Sequence, residues 1–332
     1  MNARATESSE DAILGDGNAG SSASSVLPGL ARHAVDARGA YASNTERALR
    51  ADVAIFSGWC ATAGTPPLPA PPVVVARFVD AMGALKAPAT VRRYVSSVAT
   101  FHRAAGLPSP CEALEVRLAL KRLHRAKGRA QAQATALTRP LVDRMLAAAG
   151  ATPKDARDCA LLAVAYDTLC RRSELVALRA ETLEPGAAGD ATILVARGKT
   201  DQEGEGAVRY LAPDTMDHVR AWIAVGGIKD GRLFRSVGRN GQVGCSLEAG
   251  EVARLFKAMA LAAGLSAEEA AGISGHSSRV GAAQDMVRHG VDLPAIMQAG
   301  GWRSAGMVGR YTRRIEARRS GAAKLAMLQD RV

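Results

Sequence analysis

The chain has 332 residues, enough for about two domains of ordinary size, and 48% are hydrophobic but only 4% aromatic, so its cores must be built from Ala, Leu and Val. Forty-three Lys and Arg against 32 Asp and Glu leave a net charge of +11, which suits a polyanionic partner and, with no basic amphipathic anchor evident, favours nucleic acid over a membrane surface. No run of about 18 uncharged apolar residues occurs and the N-terminus lacks the apolar stretch of a secretory signal, so a spanning helix is excluded and the expected location is the cytoplasm.

In chain order, residues 1–35 are rich in Ser, Gly, Ala and Asn and are expected to form a disordered tail. Residues 36–130 then read as an all-helical domain. "SNTERALRADVAIFSGWCATAG" (43–64) sets Leu49, Val53, Phe56 and Cys60 at helical spacing, with Gly64 as a stop. "PPVVVARFVDAMGAL" (71–85), "APATVRRYVSSVATFHRAAG" (87–106) and "CEALEVRLALKRLHRAKG" (111–128) read as three more helices. The last two carry Arg92, Arg93, His102, Arg103, Arg117, Lys121, Arg122, Arg125, Lys127 and Arg129 with few acids between, either a solvated face or a phosphate-facing surface. "KGRAQAQATALT" (127–138) is small, polar and weakly patterned, as a linker would be.

The second domain, 131–332, opens with helices in "RPLVDRMLAAAG" and "PKDARDCALLAVAYDTLCRRSELVAL", the second apolar enough to be central. "DATILVARGKT" (190–200) and "AVRYLAP" (207–213) read as two strands joined by a charged, Gly-rich turn. Helices follow near 214–226, 246–263, 278–289, 292–299 and 320–331. The expected fold is mainly α with a small antiparallel β-sheet.

P-loop, dinucleotide-binding, H-E-x-x-H and G-x-S-x-G patterns are all missing. The five cysteines are scattered without C-x-x-C or histidines at ligand spacing, so neither a metal nor another cofactor is expected. What remains is a set of phosphate-type residues. Arg171 ends an apolar helix, with Glu174 three positions on, where an ordinary surface ion pair is the plainer reading. Lys199 sits at a strand end on a turn, and turn lysines are usually just solvated. In "SGHSSRVGAAQDM" (274–286), His276 and Arg279 stand at a helix start, where free N–H groups and the dipole favour an anion. Trp302, whose indole can only donate, and Tyr311 close the set.

Taken together, in this order and spacing, these residues resemble the tyrosine recombinase (phage integrase) family. The resemblance is carried by Arg171-x-x-Glu174, Lys199, "SGHSSRVGAAQDM", "LPAIMQAGGW" (293–302) and Tyr311, and by "TFHRAAGLPSP" (100–110) in the first domain. It covers residues 40 to 332. Trp302 stands where many relatives have a second histidine.

The resemblance implies a two-domain DNA clamp with a helical core-binding (SAM-like) domain and an α+β catalytic domain. It implies that Tyr311 attacks a scissile phosphate to form a 3′-phosphotyrosine bond without any cofactor. Arg171 and Arg279 would hold the non-bridging oxygens, and His276 would act as acid/base because a phenol needs help losing its proton. Trp302 would donate to a phosphate oxygen, Lys199 would protonate the leaving 5′-oxygen, and Glu174 would orient the cluster. The implied partners are double-stranded DNA with an inverted-repeat site and further copies of the chain, a dimer on one site and a tetramer in the synapse, joined by an exchange helix at about 320–331. Arg92, Arg93, Arg103, Lys121, Arg122 and Arg125, with Arg254 and Lys257 on the 246–262 helix, are the candidate DNA contacts. A topoisomerase or resolvase, or a non-enzymatic DNA-binding regulator on the same scaffold, is the alternative; the regulator would be expected to lack catalytic residues, and all seven are present.

Overall fold

The structure is a computed structural model and describes residues 40–130, 133–196 and 206–331. It divides into two compact units, one ending at Gln131 and the other starting at Ala132.

The first unit is helical: α1 (Ser43–Thr62), α2 (Pro72–Leu85), α3 (Pro88–Ala104) and α4 (Leu114–Lys127). Proline opens α2 and α3 at a position where its missing N–H costs nothing. The apolar faces meet in one core containing Phe56, Val75, Phe78, Val79, Val91, Val98 and Leu123, with Phe56 and Phe78 edge to face at 5.0 Å.

In the second unit, α5 (Arg139–Ala147) leads to α6 (Pro153–Thr168), started by a capping box between Thr152 and Asp155. Ala160, Leu161, Leu162 and Val164 are all buried, so α6 is enclosed on several faces, as its apolar sequence requires. A short helix, α7 (Arg172–Leu175), precedes an antiparallel sheet in the order β1 (Leu183–Pro185), β2 (Ala191–Val195), β3 (Ala207–Leu211). The sequence showed two strands; β1 is too short, and too broken by Pro185, to show an alternating pattern. Helix α8 (Pro213–Gly226) packs on α6, with the Trp222 indole N–H donating to the Leu233 carbonyl at 2.8 Å. Then come α9 (Glu251–Ala262), α10 (Ala267–Ala271), α11 (Ser277–Arg288), α12 (Leu293–Gly300), α13 (Ala305–Ala317) and α14 (Gly321–Leu328). The fold is mainly α with a small antiparallel sheet, as the sequence led us to expect. Among the described residues no helix is long and apolar enough to cross a membrane.

Helix α13 went unread in the sequence. Gly306, Gly309 and Thr312 lower its helix propensity, and its buried residues are just Val308 and Thr312, with Met307, Tyr311 and Ile315 half-buried.

The segment entering the second unit is tied down residue by residue. The Thr135 N–H donates to Gly272 O at 2.9 Å and the Leu137 N–H to Ser277 O at 3.0 Å. The Arg139 N–H donates to an Asp285 carboxylate oxygen at 2.7 Å. Gly281 allows this close passage, because a Cβ there would lie 1.8 Å from Leu137 O.

Candidate active site

Four segments of the second unit build the site, and each is positioned by backbone geometry. The first is the turn between α6 and α7. Leu169 closes α6 in the left-handed region (φ 51°), rare for a residue with a branched side chain. That turn directs Arg171 back to the cluster. Glu174 holds it twice, accepting from the Arg171 backbone N–H at 2.8 Å and from its guanidinium at 2.7 Å. Glu174 is buried, so the pair is no loose surface bridge.

The second segment is the start of α11. Ser274 and Ser277 bracket it: the Ser274 N–H donates to Ser277 Oγ at 2.9 Å, and the His276 N–H to Ser274 Oγ at 3.1 Å. This lock sets His276 at the helix cap and Arg279 one turn inside. Arg279 is buried; its guanidinium donates to the carbonyls of Leu169 and of Gly300, the latter at 2.6 Å. Its carbon lies 4.4 Å from the Trp302 ring centroid, a cation–π contact.

The third segment ends α12. Gly301 adopts φ 57° and lets the chain reverse, so that Trp302 folds onto Gly300, where a Cβ would meet its ring at 2.3 Å. The fourth is α13, which carries Tyr311 against the Trp302 ring, centroids 5.5 Å apart. The Tyr311 hydroxyl lies 2.7 Å from His276 Nε2. Leu169, Ala282, Ala283, Ile296, Trp302 and Val308 form the small apolar core under all four.

Electrostatics follow from burial. Desolvation, then the charges of Arg279 and Arg171, hold His276 below the usual imidazole value. It is therefore neutral at pH 7 and able to accept the phenolic proton. Desolvation, then Arg171, pulls Arg279 down to about 10. Among the described residues, Arg279 Nε, Trp302 Nε1 and the nearby Ser278 Oγ are buried without a hydrogen-bond partner. Among the described residues no group of three or more His, Cys, Asp or Glu is placed to hold a metal ion.

Six of the seven residues singled out in the sequence thus come together: Arg171, Glu174, His276, Arg279, Trp302 and Tyr311. Lys199 lies outside the described residues, as does the segment 1–35. Arg254 is exposed and Lys257 half-buried on α9, with Arg254 bonded to Glu251. On the first unit Arg92, Arg93, Arg103, Lys121, Arg122 and Arg125 are all exposed. Arg93 pairs with Asp52 at 2.9 Å and Arg122 with Asp80 at 2.8 Å. His102, grouped with them by sequence, must be corrected. It is buried, its Nε2 accepts from the Ala70 N–H at 3.0 Å, and its Nδ1 lies 2.9 Å from Val98 O. Burial lowers its pKa, so it is a neutral structural bracket with no face for a phosphate.

Two further contacts carry no signal in the sequence. The side-chain amides of Gln284 and Gln133 both donate to the main-chain carbonyl of Tyr311, at 3.0 and 3.2 Å. A glutamine four positions from the buried Val280 carries no pattern that would have marked it.

Residues 136–318 match the Phage integrase family. The chain is 30% identical over 310 residues to the Cre recombinase of Escherichia phage P1, covering 88% of this chain and 90% of that protein. Among solved structures it resembles the Tn1549 transposon integrase in complex with transposon right end DNA, with a TM-score of 0.61 and 14% identity over 89% of this chain and 99% of the other. It also resembles a lambda integrase tetramer bound to a Holliday junction, with a TM-score of 0.57 and 15% identity over 86% and 76% of the two chains. These two likenesses speak for the fold; the family match and the extended identity speak for descent. With a histidine, two arginines, an indole and a tyrosine gathered at one site, the chain belongs to the phage integrase family of tyrosine recombinases.

Proposed function

We propose that the chain is a site-specific DNA recombinase that cuts and rejoins strands at an inverted-repeat site through a 3′-phosphotyrosine intermediate. The observation that carries this reading is the 2.7 Å approach of the Tyr311 hydroxyl to a neutral His276, beside two arginines and an indole N–H. Tyr311 Oη attacks the scissile phosphorus as its proton passes to His276 Nε2. The P–O5′ bond breaks, and the leaving 5′-oxygen takes a proton from Lys199. Arg171 and Arg279 bear the charge of the pentacoordinate phosphorane, and Trp302 Nε1 supplies one more donor. Glu174 fixes Arg171. The covalent link keeps the phosphodiester energy, so the 5′-hydroxyl of a partner strand reverses the step without ATP. The basic residues of α3, α4 and α9 hold DNA phosphates, and α14, which has no buried residue, docks on a neighbouring copy to assemble dimers and tetramers. Acting on DNA, the protein works in the cytoplasm of its host.

The test is to incubate the full chain with a pool of random-sequence duplexes carrying a nick that traps the cleaved state, and to sequence the DNA that becomes covalently attached. Inverted repeats around a short spacer are expected, and none with Tyr311→Phe. Covalent attachment by that variant at the normal level would refute the assignment. Relaxation of supercoiled plasmid without strand exchange between two selected sites would favour the topoisomerase alternative.

A further inference from the structure

The Tyr311 residue is held at both ends by one helix. Its hydroxyl meets His276 at the cap of α11 at 2.7 Å, and its main-chain carbonyl accepts from Gln284, on the same helix, at 3.0 Å. His276 and Gln284 are eight positions apart, about 12 Å along an α-helix axis at 1.5 Å per residue. A third contact comes from a different element: Gln133, in the segment entering the unit, donates to the same carbonyl at 3.2 Å.

Such a carbonyl already serves, within an α-helix, the N–H four residues on. Two added side-chain donors converging on it do nothing that helix formation requires. They oppose slide and roll of α13 against α11. Val308 and Thr312 are buried on α13, and Met307 and Tyr311 pack half-buried on the same apolar core, so the two amides add polar stops to a contact that is otherwise mostly apolar. Gln133 is itself placed by the residues after it, whose N–H groups at Thr135, Leu137 and Arg139 are bonded to Gly272, Ser277 and Asp285.

We infer that Gln284 and Gln133 are positioning residues for the nucleophile, setting the Tyr311 hydroxyl against His276 by gripping the Tyr311 backbone. The inference rests on the reading of Tyr311 as the nucleophile. α11 is then a ruler whose cap and third turn define where the phenol stands, and the entry segment is a second, independent stop.

The experiment measures single-turnover formation of the covalent protein–DNA adduct, with a duplex selected as above, and equilibrium binding to the same duplex. Gln284→Leu should slow adduct formation roughly three- to tenfold, the worth of one net hydrogen bond, and leave binding unchanged. Gln133→Leu should do the same more weakly, and the double variant should fall by more than either. The discriminating readout is a cycle with His276→Ala. With the imidazole gone there is nothing to be registered against, so Gln284→Leu should cost little further. Equal losses in the two backgrounds would make Gln284 merely structural and overturn the inference. A Gln284→Leu rate equal to that of the parent would also overturn it. If Gln284→Leu does not fold, Gln133→Leu, on an exposed side chain, carries the same cycle. An adduct formed by Tyr311→Phe would instead bring down the nucleophile reading itself, so the two failures are separable.

Discussion

Gly281→Ala puts the packing of the site to a test whose sign can be worked out. On propensity alone the change is favourable, because alanine in a helix interior is better than glycine by about 1 kcal/mol. The structure opposes it. The new Cβ would lie 1.8 Å from Leu137 O, 2.1 Å from Leu137 C and 2.7 Å from Thr138 N, all main-chain atoms that no side-chain rotation can move. Residues 135–138 would have to retreat from α11 by more than about 1 Å to reach van der Waals contact. That retreat breaks the bonds from Leu137 N to Ser277 O and from Thr135 N to Gly272 O, each worth about 1 kcal/mol. Overpacking a close contact costs a further ~1–3 kcal/mol. The expected net loss is about 2–4 kcal/mol, or a fall of about 1 M in the urea midpoint at an m-value of about 2–3 kcal/mol/M. Fluorescence of Trp222 and Trp302, both buried in this unit, follows the transition. Gly309→Ala is the matched control: the nearest atom to its Cβ would be 3.8 Å away, so it should gain about 0.5–1 kcal/mol. A Gly281→Ala protein as stable as its parent would show that the entry segment is not packed on α11 as described.

His276 makes stability depend on pH. Its pKa is lowered in the fold, so below about 6.5 the unfolded chain takes up a proton that the folded one refuses. Its contribution is constant above that pH and is lost as pH falls toward the depressed value; urea midpoints at pH 7.5 and 5.5 should therefore separate more in the parent than in His276→Gln, and equal separations would count against a neutral buried imidazole. Binding to the selected duplex should weaken with salt by roughly 0.9 log units per contacted phosphate per decade; a gel-shift series flat in salt would contradict a phosphate-led interface. Removing residues 320–332 should leave binding to one half-site unchanged and reduce cooperative pairing, read by native electrophoresis; an undiminished tetramer would refute the docking role of α14.

Much of the site was legible because its residues sit in short, strongly patterned segments. The start of α11 is written in "SGHSSR", and the helix that follows keeps its apolar stripe in register, so the sequence alone assigns His276 and Arg279 to a helix beginning. The α13 helix could not be read: two glycines and a threonine weaken its propensity, and tertiary contact with α11 supplies what the local sequence lacks. Contacts between distant segments were equally silent. Nothing in "QATALT" says that it lies on Gly281, and nothing in Gln284 says that it reaches a carbonyl 27 positions away. His102 misled for a related reason. An imidazole among arginines reads as one more cation, and only burial against Ala70 and Val98 reveals it as neutral.

The arrangement of Arg279 leaves a buried charge that a bound phosphate would meet. A guanidinium in an apolar pocket is costly unless its charge is met, and among the described residues this one bonds two carbonyls and lies over the face of Trp302. Its neighbour Arg171 is paired with Glu174 and so adds no anion to spare. The penalty is visible in Arg279 itself, pulled down to about 10 by burial and by Arg171, and in the unpartnered Arg279 Nε and Trp302 Nε1. A phosphate brought to these groups would supply both the missing charge and acceptors for idle donors. The greater negative charge of a phosphorane would supply more of each, so relief of this stress is larger in the transition state than in the bound ground state. The carbonyls of Leu169 and Gly300 hold the guanidinium in place without neutralising it. That is the useful compromise: a carboxylate in their position would neutralise the guanidinium, and leave less to gain from a phosphorane.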